Sequence, residues 1–340
     1  MKILITGSAG FIGFHLVEKL VKTANVDIVG IDNINDYYDV NLKYARLQQT
    51  GIRKEDIHPD KPVQSILYPN YTFCQADISD YSILYTIFEK NQFDIVINMA
   101  AQAGVRYSIE HPATYIQSNV VGFTNILECC RHFHIKHLIY ASSSSVYGVN
   151  NQVPFSEDDN TDYPVSLYAA TKKSNELLAH AYSHLFQLPA TGVRLFTVYG
   201  PWGRPDMAPM LFAEAITANQ PIKVFNHGEM SRDFTYVNDI ANGIISLIEQ
   251  APDQQTTHPF FQIFNIGHSE PVELMQFIST LENCIGRKAN LEMYPMQPGD
   301  VPVTYADTGK LKQKINYKPQ TSVEDGVSEF IKWFKLWKNT

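Results

Sequence analysis

The stretch "ITGSAGFIGFHL", residues 5–16, decides the fold. Its glycines stand at 7, 10 and 13, after the apolar run "KILIT" (2–6) and at the start of a helix-length segment, 11–24. A strand, a glycine turn and a helix in that order make a phosphate cradle. Gly7 permits the sharp turn, Gly10 lets backbone approach a pyrophosphate, and Gly13 lets the helix pack on the strand. The helix N-terminus adds amides and a partial positive charge. Three glycines alone would also suit plain helix–strand packing, so the strand–turn–helix context carries the reading.

Outward from that turn, "DIVGI" (27–31), "YTFCQAD" (71–77), "DIVINMA" (94–100), "HLIYASS" (137–143) and "ATGVRLF" (190–196) read as buried strands, β-branched and bounded by Gly, Asp or Asn. Helix-length segments at 80–91, 112–134 and 166–187 separate them. This alternation predicts an α/β chain with a Rossmann-type, doubly wound parallel sheet. Residues 33–70 read as an insertion, with one helix near 39–50 and then a polar loop. After about residue 200 the alternation ends, and helices are expected near 207–219, 238–250, 271–286 and 322–338. The last places Val327, Phe330, Ile331 and Phe334 on one face. The expected division is a dinucleotide-binding domain over 1–190, with a returning segment about 232–266, and a smaller α/β substrate-binding region mainly over 191–340.

Asp32 ends the second strand, 19 residues beyond Gly13. A carboxylate there accepts from both ribose hydroxyls of an adenosine and repels a 2′-phosphate, which points to NAD rather than NADP. Asp77, closing the third strand, suits an adenine amino group or an ordinary helix N-cap.

In "YAATK" (168–172), Tyr168 and Lys172 share one helix face. A phenol with its normal pKa of about 10 is a poor base. Beside a fixed ammonium and an oxidised nicotinamide, the phenolate is favoured. Lys172 is also placed to hold the nicotinamide ribose. Spacing alone would fit a chance pair on an exposed helix. The preceding strand, however, runs into "ASSSSVYG" (141–148), with Ser143 placed 25 residues before Tyr168. Its hydroxyl can bond the same substrate oxygen as the phenol.

Together "TGSAGFIG", "SSSSVYG" and "YAATK" resemble the extended short-chain dehydrogenase/reductase family, whose nucleotide-sugar branch includes epimerases, dehydratases and decarboxylases. "AAQAGVRYS" (100–108), "FTVYGPWGRPDMAPMLF" (196–212), "RDFTYVNDIANG" (232–243) and "MQPGDVPVTYADT" (296–308) resemble its UDP-glucuronate 4-epimerase (NAD-dependent) branch. The resemblance implies Tyr168 as acid/base, Lys172 as electrostatic partner and Ser143 as hydroxyl donor. For the NAD cofactor it implies the turn residues Gly7, Gly10, Phe11, Ile12 and Gly13, then Asp32 with Asn33, Asp77 with Ile78, and Ala100. Asn119, in "QSNVVGF", is implied to orient cofactor and helix. It further implies a homodimer built on the segments near 112–134 and 166–187.

The branches of that family share a first step, oxidation of the sugar 4-hydroxyl, and then diverge. Dehydratases read "TDEVYG" where this chain reads "SSSVYG"; decarboxylases commonly carry Glu before "VYG". Ser144 and Ser145 offer hydroxyls only, so return of hydride is what remains, and the outcome is 4-epimerisation. A 4-keto uronate is a β-keto acid, so its carboxylate must be pinned against loss of carbon dioxide. A bidentate guanidinium does this best. The resemblance assigns that task to Arg204 with Thr197, the latter replacing an asparagine of UDP-galactose/glucose 4-epimerases. A loop arginine paired to Asp206 is the structural alternative. Arg106, in "AGVRYS", is a second cationic candidate near cofactor and sugar. Arg232 is implied for the diphosphate, against a plain salt bridge to Asp233 or Asp239. "KVFNHG" (223–228), with Val224, would lie along the uracil, and Asp300 would take the UDP ribose. Gln297 departs from an arginine of the galactose branch. The expected activity is UDP-glucuronate to UDP-galacturonate for surface polysaccharide synthesis. Alternatives are a UDP-glucose/UDP-N-acetylhexosamine 4-epimerase, a UDP-glucuronate decarboxylase, or an idle nucleotide-binding module.

Other features narrow the class. A formal net charge of −8 argues against a nucleic-acid surface. Cys74, Cys129, Cys130 and Cys284 show no C-x-x-C spacing and suit a reducing cytosol. No basic start followed by an apolar run suggests a cleaved leader, and no run is long enough for a membrane span. His180 and His184 have metal-ligand spacing but no third ligand in context, so no metal is expected. Tyr37 and Tyr38 suit either the adenosine or a surface loop.

Overall fold

The computed structural model describes residues 1–59, 61–150, 152–253, 259–296 and 301–338. In chain order the first half runs β1 (Lys2–Thr6), α1 (Phe11–Leu20), β2 (Asp27–Asp32), α2 (Val40–Gln49), β3 (Pro62–Gln64), β4 (Tyr71–Gln75), α3 (Tyr81–Asn91), β5 (Ile95–Asn98), α4 (Tyr107–Glu110), α5 (Pro112–Tyr115), α6 (Gly122–His132), β6 (His137–Ser143), α7 (Leu167–Phe186) and β7 (Ala190–Leu195). The rest runs β8 (Thr197–Tyr199), α8 (Ala208–Thr217), β9 (Pro221–Val224), β10 (Ser231–Arg232), β11 (Phe234–Tyr236), α9 (Val237–Leu247), β12 (Phe261–Ile266), β13 (Val272–Glu273), α10 (Leu274–Ile285), β14 (Asn290–Met293), β15 (Val303–Thr304), α11 (Gly309–Ile315) and α12 (Val323–Lys338).

These elements form two compact units. The first comprises 1–148, 161–194 and 243–264; the second comprises 149–160, 195–242 and 265–340. The first is built on one sheet of order β12-β7-β6-β5-β1-β2-β4-β3. β1 pairs parallel with both β2 and β5, placing Leu4 level with Val29 and Val96. That register stacks apolar side chains in rows, and both faces are covered by helices, as a parallel sheet requires. Side chains at the helix starts supply the missing partners: Asp80 accepts from Ser82 and Ile83 amides at α3, and Ser166 from the Ala169 amide at α7.

Three features depart from the expectation. The polar insertion contains β3, antiparallel to β4, with Pro62 at its first residue, where an edge strand tolerates a missing donor. The 112–134 segment is not one regular helix: α5 passes through a π-helical turn, Ile116–Val121, before α6. The turn carries Asn119, whose side chain is required elsewhere. The sheet also gains β12, from a stretch where the simple alternation had ended.

The second unit is assembled from small sheets, ordered β13-β10-β15, β11-β8 and β14-β9. Its core is aromatic. Phe234 stacks on Phe277 with centroids 4.0 Å apart, and Tyr199 meets both rings edge-on. α12 buries Val327, Phe330, Ile331 and Phe334, the face the sequence marks out.

Candidate active site

The glycine turn folds as its spacing demands. Gly7 has φ +67°, and the Gly10 amide donates back to its carbonyl at 2.9 Å. A Cβ on Gly10 would lie 2.9 Å from that oxygen, and one on Gly13 would collide with it. α1 begins at Gly10 with no side-chain cap, so its first amides are presented by backbone alone. Phe11 follows buried, with Ile12 half-buried, in the first turn. Asp32, at the end of β2, accepts from the Ala9 amide at 3.2 Å and the Ile34 amide at 2.8 Å, with the Lys43 ammonium 3.7 Å away. Asn33 donates to Asp77 at 2.8 Å, and the Ser79 amide donates to the other Asp77 oxygen at 2.8 Å. Burial pushes the Asp77 carboxyl up, but these two donors outweigh it and hold it below the usual range. Ile78 is buried, and Ala100 donates its amide to Thr6 Oγ1 at 3.0 Å beside Gly7. A tight backbone cradle, an uncapped helix start and an acid at the next strand end fit a dinucleotide with a free adenosine ribose.

β6 ends at Ser143, and a 3-10 turn, Ser144–Tyr147, follows. Ser143 Oγ lies 3.1 Å from Ser145 Oγ and accepts from the Ser145 amide at 3.2 Å. The Ser143 and Ser145 hydroxyls therefore meet at the strand end. On α7, Lys172 is 3% exposed and donates to the Ala141 carbonyl of β6 at 2.7 Å. Burial pulls its pKa from the usual 10.5 down to about 8, so it remains an ammonium at neutral pH. Tyr168 is half-buried one turn earlier, its ring edge-on to Tyr115 at 6.1 Å. Asn119 sets the helix. It donates to Thr171 Oγ1 and the Gln102 carbonyl at 3.0 Å each, accepts from the Gln102 amide at 2.7 Å, and offers its own carbonyl to Asn175 at 2.6 Å. The π-helical turn is what lets one side chain serve both α7 and the segment after β5. Arg106 is exposed at the start of α4.

One group escaped the sequence reading. Glu176, four residues beyond Lys172, is 2% exposed and takes a bidentate pair from Arg194 of β7, at 2.9 Å for each bond. Ser142 donates to the same carboxylate at 2.7 Å, and Arg194 also donates to the Tyr147 hydroxyl at 3.0 Å. Burial would depress the arginine, but the Glu176 carboxylate holds it above its usual value. An arginine inside "ATGVRLF", an otherwise apolar buried strand, was the available signal: such a charge needs an acid partner.

In the second unit Thr197 opens β8, opposite Phe234 of β11. Arg204 forks onto Asp206, through Nε at 3.0 Å and Nη2 at 2.5 Å, the pairing that the structural alternative anticipated. Arg232 donates from Nη1 to the Ser231 and Pro302 carbonyls, at 3.0 Å each. The carboxylates of Asp233 and Asp239 meet backbone amides: His268, Ser269 and Ala306 for the first, Gln320 and Thr321 for the second. The Val224 side chain is fully buried in the core, and its carbonyl accepts from the Tyr294 amide at 2.8 Å. Asp300 and Gln297 lie outside the described residues.

A Rossmann-type sheet with a glycine-turn cradle and a Tyr–Lys helix beside a strand-end serine defines a short-chain dehydrogenase/reductase. Residues 3–267 match the NAD dependent epimerase/dehydratase family, and the chain belongs to that family. It is 52% identical to the protein CapI of Staphylococcus aureus, over 98% of both chains, and 43% identical to a probable UDP-glucuronate 4-epimerase of Rhizobium meliloti, over 98% of this chain and 97% of the other. Among solved structures, the UDP-glucuronic acid 4-epimerase of Bacillus cereus, in complex with UDP-glucuronic acid and NAD, matches with a TM-score of 0.87 at 32% identity. That match covers 99% of this chain and 100% of the other.

Proposed function

We propose that the protein interconverts UDP-glucuronate and UDP-galacturonate by 4-epimerisation through a 4-keto intermediate, with NAD as its resident cofactor. The observation that carries the reaction type is the turn after β6. Ser143, Ser144 and Ser145 put hydroxyls, and no acid, beside the Tyr168–Lys172 helix. The substrate follows from the relatives named as UDP-glucuronate 4-epimerases.

Tyr168, deprotonated under the influence of the buried Lys172 ammonium, takes the proton of the sugar 4-hydroxyl. Ser143 donates a hydrogen bond to the same oxygen and holds it while the carbonyl forms. Bound NAD supplies a reversible hydride acceptor. With no acid at 144 or 145 to expel water, elimination is closed to the keto sugar, and Tyr168 returns the proton after the sugar presents its other face. Arg204 and Thr197 hold the uronate carboxylate near the carbonyl plane, and the Asp206 pairing fixes the plane of that guanidinium. Arg232 serves the diphosphate. The second reading, a neutral UDP-hexose 4-epimerase, is favoured by the same Arg204–Asp206 pair if that pair is merely a loop staple.

Incubating the purified protein with UDP-glucuronate, without added cofactor, and following the 4-epimer by proton NMR tests the reading. Appearance of UDP-pentose and carbon dioxide would establish a decarboxylase instead. Arg204→Leu separates the substrates: uronate turnover is expected to fall at least about a hundredfold, given the strength of a charge-assisted fork. Turnover of a neutral UDP-hexose that survives the change while uronate turnover was never present would sink the uronate assignment.

We further propose a homodimer, supported by exposed apolar residues on the two helices the resemblance singles out: Ile116, Val121, Leu177, Leu185 and Phe186. A cytosolic setting is supported by four cysteines of which none is in a disulfide. We also propose that the product, an activated sugar, serves glycosyl transfer into a surface polysaccharide.

A further inference from the structure

In the first unit's sheet, β1 lies between β5 and β2. The segments that follow β2 and β5 therefore leave the sheet on either side of the glycine turn that follows β1. They meet across it. Tyr37, from the insertion after β2, packs on Tyr107, with ring centroids 4.7 Å apart, and Tyr107 rests on His111 at 4.1 Å. The Tyr37 hydroxyl lies so close to Gly104 that a Cβ there would sit 2.5 Å from it; Gly104 has φ +103°. Both ends of this bridge are anchored. On one side Arg46 donates to the Ala9 carbonyl of the glycine turn at 2.9 Å and to the Tyr38 hydroxyl at 2.7 Å. On the other, Tyr115 donates to the Ala103 carbonyl at 2.8 Å and its ring meets Tyr168. Rings thus run without a break from the insertion to the catalytic tyrosine.

A dinucleotide whose adenosine ribose reaches Asp32 and whose nicotinamide reaches Tyr168 has one end on each side of that bridge, so its diphosphate passes beneath. We propose that Tyr37 is a cofactor-retention residue: its tilted ring contact with Tyr107 straps the insertion over the diphosphate of NAD, and the cofactor leaves only when that contact breaks. This rests on the NAD reading above. The chemistry gives the strap a purpose. The overall reaction is redox-neutral, and the hydride removed from a sugar must return to that sugar. A cofactor that escaped in the reduced state would strand a keto sugar and leave the site unable to finish the turnover.

The test uses holoenzyme of wild type, Tyr37→Ala, Tyr37→Phe and Tyr107→Leu. Bound NAD is counted after acid release, and exchange against isotopically labelled NAD is followed in time. Wild type and Tyr37→Phe, which keeps the ring, are expected to hold about one NAD per chain and exchange slowly. Tyr37→Ala and Tyr107→Leu each break the ring contact from one side. Each is expected to exchange about tenfold faster, the scale of one aromatic pair, and to lose activity on dilution. Added NAD should restore their maximal rate. Wild-type exchange rates in whichever of the two alanine or leucine variants folds would overturn the strap. A wild type that neither carries nor takes up NAD would overturn the cofactor reading itself, a distinguishable result.

Discussion

At the level of single residues, the proposed chemistry concentrates on Tyr168 and Lys172. Replacing Tyr168 with Phe removes one oxygen from a half-buried position, so the fold and the bound NAD should survive. Epimerisation should fall by about 10²–10⁴, the usual worth of a positioned acid–base group. NMR rates together with NAD content check this, and undiminished turnover would remove the phenol from the mechanism. Lys172 makes a pH prediction. Its folded pKa, near 8, lies below the ordinary 10.5 because burial penalises the ammonium. The ammonium proposed to favour the phenolate is therefore lost as pH rises through about 8, and the rate should show an alkaline limb there. Stability moves the other way. Between about 8 and 10.5 the unfolded chain binds the extra proton, so unfolding free energy rises with pH across that window; below it the cost of the buried charge is constant. Rate–pH profiles and denaturation at pH 7.5 and 9.5 separate the two effects.

Among the elements, the decisive contact is the seam where α7 crosses β6 and β7. Lys172 hangs from the β6 carbonyl of Ala141, and Glu176 is pinned by Arg194 and Ser142. Together they fix the rotation of α7 and hence where Tyr168 points. Removing Arg194 leaves the Glu176 carboxylate buried and uncompensated, at a cost of about 3–5 kcal/mol. Arg194→Met should therefore unfold at markedly lower denaturant, and Arg194→Met with Glu176→Met should recover much of the loss. Chemical denaturation of both variants measures it; equal stability of the single and double variants would mean the pair does not anchor the helix. This seam also marks the boundary of what the sequence discloses. Tyr168, Lys172, the glycines and Asp32 stand out in the sequence because the chemistry proposed for them dictates their types and their spacing along the chain. Glu176 does not, because it lies on a helix and its partner Arg194 on the following strand, and only the fold brings them together. The π-helical turn at Asn119 escaped for the same reason: its bonds to Gln102 and Thr171 belong to three separate segments. The second unit was legible only as helices, since β8 to β15, apart from β12, hold four residues or fewer and give too short a period to read.

For the molecule as a whole, the open question with most structural support concerns assembly. α7 buries Ala169, Lys172, Glu176 and Ala179 toward the sheet, yet its other side carries Leu177 and Leu185, 60% and 66% exposed, with Phe186 at its end. The segment leading into α6 adds exposed Ile116 and Val121. Apolar side chains spaced along two neighbouring helices form a face that water alone does not explain, and two such faces packed together would make a four-helix contact. The same α7 carries Tyr168 and Lys172 at its first turns, so a dimer of this kind would stiffen the catalytic helix from behind. Leu177→Lys with Leu185→Lys places like charges on both copies of that face without touching the buried side. The pair of changes should shift the protein from dimer to monomer in sedimentation or light-scattering measurements. Secondary structure and NAD content should stay near wild type, and the melting temperature should lose its dependence on concentration. Turnover should fall more than cofactor content does, because the loosened element is the one that aims the phenol. If the wild type sediments as a monomer, or the doubly charged variant remains a dimer, association does not run through α6 and α7, and the exposed leucines require another partner.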